Sequence, residues 1–261
     1  ASAGDPVLGD AAWADALAQV RAAAPRAGWT LENAPGTAPA CADPYIQTGE
    51  AAALLQRAHP ALVLPKDAFA HAYADHPAPW RAEAADVLAA LHARGLRVGF
   101  VSNSDTAKVR GRVDALLAGA PPALRAAIAV IGNARKYLVG ELPLEGAPHA
   151  ARFAALAPTH AAASAAVGRP VYLRRARYFQ ALVALWRALG AADDEFPIAE
   201  ALVCGDVWEL DLAMPAALGA HVHLIRRAAP YDTYAYEHAQ VGPAHQSDDL
   251  HAVLDRVGAA R

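Results

Sequence analysis

Apolar positions along this chain change period at about residue 61, and that change organises the reading. Ahead of it, Ala11 to Ala24 carries Trp13, Leu17 and Val20 at helical spacing, with Pro25 closing the stretch. Gly28 to Pro44 holds Gly, Pro, Asn and Thr and reads as an irregular connection, and Thr48 to Arg57 reads as a second helix. After residue 61, short apolar runs alternate with helical stretches. Five runs are predicted strands: Ala61 to Leu64, Leu96 to Val101, Ile128 to Ile131, Ala201 to Cys204 and His221 to Ile225. The predicted helices among them are Arg81 to Arg94, Ala107 to Leu117, Arg174 to Leu189 and Leu212 to Leu218. The first has Val87, Leu88 and Leu91 on one side and Gly95 just past its end. Residues 140 to 168 are rich in Ala, Pro and Gly and are expected to be an insertion.

Strands that alternate with helices predict a parallel sheet covered on both faces. The expected architecture is therefore an α/β, doubly wound parallel core over residues 61–261, preceded by a helical N-terminal extension over residues 1–60. Such sheets bind ligands beyond the carboxyl ends of their strands, so those positions carry the functional reading.

Composition narrows the classes. Of 261 residues, 55% are hydrophobic, much of that alanine, yet no uninterrupted apolar run reaches the length that spans a bilayer. A net charge of −3, from 23 basic and 26 acidic residues, gives no broad positive field, so neither nucleic acid nor membrane is an expected partner. Two cysteines, Cys41 and Cys204, cannot form a disulfide framework, and a reducing, cytoplasmic setting is expected. His221 and His223 share a strand face without a third ligand in view, and Trp208 reads as packing.

Two strand ends carry chemistry. Leu202-Val203-Cys204-Gly205 leads into Asp206, and Asp211 follows five residues on; two carboxylates so placed suit a hard cation such as Mg²⁺. Val98-Gly99-Phe100-Val101 leads into Ser102-Asn103-Ser104-Asp105, a run of small donors suited to phosphate. An ordinary helix cap, from Asp206 in the first segment and from Ser104 or Asp105 in the second, is the competing explanation.

Together the two segments resemble the haloacid dehalogenase superfamily of hydrolases. Gly205, Asp206 and Asp211 are similar to its fourth motif, and Arg97 to Asn103 to its second. The resemblance implies Mg²⁺-dependent hydrolysis of a small phosphorylated substrate. Asp206 and Asp211 would hold the metal, while Ser102 and Asn103 would bind phosphoryl oxygens. A cation would neutralise charge: residue type favours Lys136 and helix context favours Arg169.

The first motif is the point of strain. The family needs a nucleophilic Asp at the end of its first strand and a second Asp two residues later. Reading Ala61 to Leu64 as that strand makes Asp67 the second Asp, acid–base and metal ligand, but leaves Pro65 in the nucleophile's place. An inactive relative that binds a ligand or partner is the alternative this implies. A rival register puts the first motif ahead of Ala1 and makes residues 1–80 a helical cap.

Overall fold

The computed structural model describes residues 9–27, 42–63, 65, 68–75, 78–140 and 147–258. Helices α1 (Asp10–Ala27) and α2 (Pro44–Ala58) form a hairpin whose Ala16, Leu17, Val20 and Ala51 are buried against each other. Pro25 lies inside α1 rather than ending it. Helix α2 begins where a Pro at its first position follows a side-chain cap. Asp43 Oδ1 accepts from the amides of Tyr45 and Ile46, at 2.8 and 3.3 Å. The short α3 (Ala68–Asp75) follows.

The α/β part runs α4 (Ala84–Ala93), β1 (Val98–Val101), α5 (Thr106–Leu116), α6 (Pro122–Ala127) and β2 (Ile128–Ile131). It continues with α7 (Ala150–Ala154), α8 (Ala161–Val167), α9 (Ala176–Ala188), β3 (Leu202–Gly205) and α10 (Ala213–Ala217). The end of the chain supplies β4 (His221–Ile225), α11 (Ala235–Val241), β5 (Gln246–Ser247) and α12 (His251–Gly258). The fold is mixed α/β with two small parallel sheets, β1-β2 and β3-β4-β5.

Helices cover both faces of the strands. Phe100 and Val98 face a core built from Leu88 of α4, Val113 of α5 and Leu124 of α6. On the other face α9 presses so closely on β1 that a Cβ on Gly99 would lie 2.4 Å from Leu185 Cδ1. Val101 joins Phe179 and Leu182 of α9 and Met214 of α10 in one cluster. Ile225 of β4 meets Val87 and Leu91 of α4 and Val253 of α12, with Val98 and Leu202 packed at the edge of the same cluster. These shared cores tie the two sheets together through the helices between them.

Four of the five expected strands form, at nearly the expected bounds. The fifth does not. Ala61, Leu62 and Val63 lie in a turn and an irregular stretch outside both sheets, Val63 is 82% exposed, and Pro65 is exposed as well. The register that placed Pro65 at the nucleophile's position is therefore corrected. A run of three or four apolar residues can be a strand only if neighbours bury it, and of its described residues Ala61 and Val63 are exposed and Leu62 only partly buried. Leu64 and Asp67 lie outside the described residues. The strand not anticipated is β5, too short and polar to show as a pattern. Within the stretch expected to be an insertion, α7 and α8 are helical; Phe153 and Val167 anchor them in the core.

Candidate functional site

The loops that follow β1, β2 and β3 meet at one end of the sheets. Directly after β1, the Ser102 amide donates to the Ile131 carbonyl at 3.0 Å, and Ser102 Oγ accepts from the Ser104 amide at 3.1 Å. Asp105 caps α5 by accepting from the amides of Ala107 and Lys108. After β2, the loop folds against this turn. The Gly132 amide donates to Thr106 Oγ1 at 2.9 Å, and the Asn133 amide to the Ser104 carbonyl at 2.8 Å. A Cβ on Gly132 would lie 2.3 Å from the Thr106 nitrogen, so only glycine fits there. Asn133 and Arg135 both take positive φ, at 53° and 43°, a conformation that costs free energy in non-glycine residues. That strained loop delivers Lys136, whose amide donates to Asn103 Oδ1 at 2.7 Å.

After β3 the chain turns through a π-helical segment, Trp208 to Leu212. Gly205 makes the turn possible: a Cβ there would sit 2.3 Å from Asp211 Cβ. Asp211 folds back over the strand end and accepts with Oδ2 from the amides of Asp206 and Val207, at 3.2 and 3.0 Å. Its Oδ1 lies 2.6 Å from Lys136 Nζ, in an ion pair whose side chains are mostly buried. The same ammonium stands 5.3 Å above the Tyr178 ring, and Tyr178 Oη donates to the Asp211 carbonyl at 2.8 Å. Burial, with the Asp211 charge adding to it, keeps the Tyr178 phenol well above its ordinary range.

Asp206 differs from Asp211. Apart from its own backbone amide, no hydrogen bond from another described residue engages its carboxylate, and it opens to solvent while protein surrounds it on most sides. Loss of hydration raises its pKa, and the Asp211 charge raises it further; Arg227 and Lys136 pull the other way. The Arg227 guanidinium donates to the Asp206 carbonyl and to Glu237, which in turn accepts from the Trp208 amide at 2.9 Å. The turn is thus braced from β4's side as well.

A third carboxylate enters from the helical hairpin. Ile46 and Ala42, at the start of α2, pack with Val207 and Leu210 of the β3 turn. This sets Asp43 where the charges of Asp206 and Asp211 both act on it. Burial is the main cause that pushes the Asp43 carboxyl up to about 6. Sequence reading missed this residue. Its only sequence signal, Asp before Pro, marks a helix start and says nothing of a site.

Of the residues singled out by sequence, Lys136, Asn103, Asp206 and Asp211 come together here, and Ser102 lies at the base of the same turn. Arg169 has a different setting. Its guanidinium grips Glu209 through two contacts, Nη1–Oε1 at 3.1 Å and Nη2–Oε2 at 2.8 Å, and both side chains are almost fully buried. Arg175 adds to that pair, 3.7 Å from Glu209, and donates to the Lys136 carbonyl at 2.8 Å. Arg169 therefore supports the floor beneath the site, and of the two it is Lys136 that pairs with a carboxylate of the site.

Oxygen donors are what Mg²⁺ prefers, and the solvent-facing Asp206 carboxylate can offer one. Both Asp211 oxygens already have partners, which suits Asp211 to holding the turn. Among the described residues no three His, Cys, Asp or Glu side chains gather as a metal cluster. The His223 ring instead pairs through Nε2 with Ser247 Oγ at 2.8 Å. Among the described residues no helix is long and apolar enough to cross a membrane. No family model, curated protein or solved structure matched this chain.

Proposed function

We propose that this chain is a hydrolase of the haloacid dehalogenase type, with a doubly wound core, acting with Mg²⁺ on a small phosphorylated substrate. One observation carries the reading: Asn103, Lys136, Asp206 and Asp211, from three separate strand-end loops, are drawn together by hydrogen bonds and an ion pair. In this reading Asp206 would hold the metal, with water completing its shell, and the metal would offset charge on the phosphoryl oxygens. Ser102 and Asn103 would orient those oxygens. Lys136, fixed between Asp211 and the Tyr178 ring, would stabilise negative charge as it develops.

The nucleophile is assigned by the rival register. With Ala61 to Val63 outside the sheets, the reading places the attacking carboxylate ahead of Ala1. It makes α1 and α2 part of a helical cap, which accords with the packing of Ile46 against Val207 and Leu210. A second reading, a binding module without turnover, draws on one fact: among the described residues no carboxylate stands on a strand between β1 and β3.

Hydrolysis of an aryl phosphate with and without Mg²⁺ separates the two. Turnover by the parent and its loss in Asp206→Asn supports the enzyme. A Mg²⁺-dependent rise in melting temperature without turnover, lost in the same variant, supports the binding module.

A further inference from the structure

The loop after β2 and the turn after β3 carry the two charges that meet in the site, and one side chain reaches both. Arg175, directly ahead of α9, is fully buried. Its Nη1 donates to the Lys136 carbonyl at 2.8 Å and its Nε to the Tyr172 carbonyl at 3.2 Å. Its Nη2 lies 3.7 Å from Glu209 Oε1, in the π-helical turn that carries Asp211. Three residues on, Tyr178 sets its ring beneath the Lys136 ammonium and its hydroxyl against the Asp211 carbonyl.

Neutralising Glu209 does not account for this guanidinium. Arg169 already holds both Glu209 oxygens, at 3.1 and 2.8 Å, and 3.7 Å is too long for a hydrogen bond. Two guanidiniums against one carboxylate leave an excess of positive charge in the floor. Burial pulls the Arg175 pKa down, while the charges of Glu209 and Asp211 pull it back. Apolar side chains of similar volume often stabilise a fold as well as a buried ionic group does, so stability alone is a poor reason for an arginine here. What the planar fork supplies is direction: its short contacts go to backbone carbonyls.

The loop that receives one of these contacts needs restraint. Asn133 and Arg135 hold positive φ, and such strain persists only where surrounding contacts fix it. On the amino side the amides of Asn133, Ala134 and Lys136 are bound by the turn after β1. On the carboxyl side the Lys136 carbonyl is gripped by Arg175, and the Gly140 amide donates to the Arg174 carbonyl at 3.3 Å.

We propose that Arg175 is a positioning residue: by gripping the Lys136 carbonyl beside the Glu209 turn, it fixes the Lys136 ammonium between Asp211 and the Tyr178 ring. Its kinetic consequence rests on the hydrolase reading; the placement of Lys136 does not.

The chain has three lysines, Lys66, Lys108 and Lys136, so lysine-selective NMR gives three ε-methylene signals. Lys136→Met assigns one by its disappearance. In the parent that signal should be displaced upfield by the Tyr178 ring current. Arg175→Met leaves Glu209 its Arg169 partner and should abolish most of the displacement. Arg175→Lys, which keeps the charge without the fork, should lose about half or more of it. Arg174→Met, which cuts contacts to the Leu156 and Ala154 carbonyls one residue away, should leave the signal in place. With an aryl phosphate and Mg²⁺, both Arg175 variants should lose about 10- to 100-fold in kcat, with KM held within about twofold. A displacement that survives in Arg175→Lys, or that Arg174→Met removes equally, would overturn the proposal. So would a higher KM at unchanged kcat. Where Arg175→Met does not fold, Arg175→Lys decides. A parent without turnover counts against the hydrolase reading alone, because the Lys136 signal still reports the placement.

Discussion

Lys136 Nζ and Asp211 Oδ1, 75 residues apart in sequence, are 2.6 Å apart in space, and each is held by the loop that carries it. The lysine arrives on a backbone with two non-glycine residues at positive φ; the aspartate arrives on a turn that requires Gly205. A strained loop and a tight turn are maintained so that these two charges meet. The pair also ties the β1-β2 sheet to the β3-β4-β5 sheet at the end where the site lies.

Breaking this contact should destabilise the protein as well as alter the site. Asp211→Ala removes the ion pair and leaves the amides of Asp206 and Val207 without their acceptor. A loss on the order of 2–4 kcal/mol is expected in urea unfolding. A double-mutant cycle with Lys136→Met should return a coupling of about 1 kcal/mol or more; additivity would mean that the two charges act independently.

Gly205→Ala tests the turn itself. The added methyl would overlap Asp211 Cβ, so Asp211 must move, at a cost of about 1–3 kcal/mol. If the hydrolase reading holds, turnover should fall together with stability, because Lys136 loses its partner. An unchanged melting temperature would show that the turn relaxes without strain.

The buried Arg169–Glu209 pair should behave differently from a surface pair. Arg169→Met leaves Glu209 with Arg175 alone at 3.7 Å, and a loss of about 3–5 kcal/mol is expected. Replacing both residues, Arg169→Met with Glu209→Gln, should cost more than the single change, because the buried Arg175 then loses its carboxylate partner. Chemical denaturation of the two variants checks the order.

Asp43 gives a pH signature. Its folded-state carboxyl titrates near 6, above the ordinary 3.8, so between those values the folded protein holds a proton that the unfolded chain has released. Its contribution to stability is therefore greatest below about pH 4 and is lost as pH rises through about 6. Asp43→Asn keeps a capping oxygen for α2 but cannot ionise. Melting temperatures across this window should favour the variant increasingly as pH rises, by on the order of 1–3 kcal/mol at neutral pH. A constant difference from pH 4 to 7 would refute the assignment.

The sequence by itself determined the α/β class of this protein and pointed to most residues of the candidate site. Period changes marked four strands, because buried parallel strands are continuous apolar runs bounded by turns. Gly205-Asp206 with Asp211, and Ser102-Asn103 after β1, were legible because a strand-to-helix turn places its functional residues at fixed short spacing. What lies far apart in the chain was not legible. Residue type could not separate Lys136 from Arg169; the separation came from the carboxylate that each meets, Asp211 for one and Glu209 for the other. Asp43 became a site residue only because α2 packs on the β3 turn. Ala61 to Val63 had the local composition of a strand and failed to become one, since a strand needs edges to pair with and a core to bury it, and both are properties of the assembled fold.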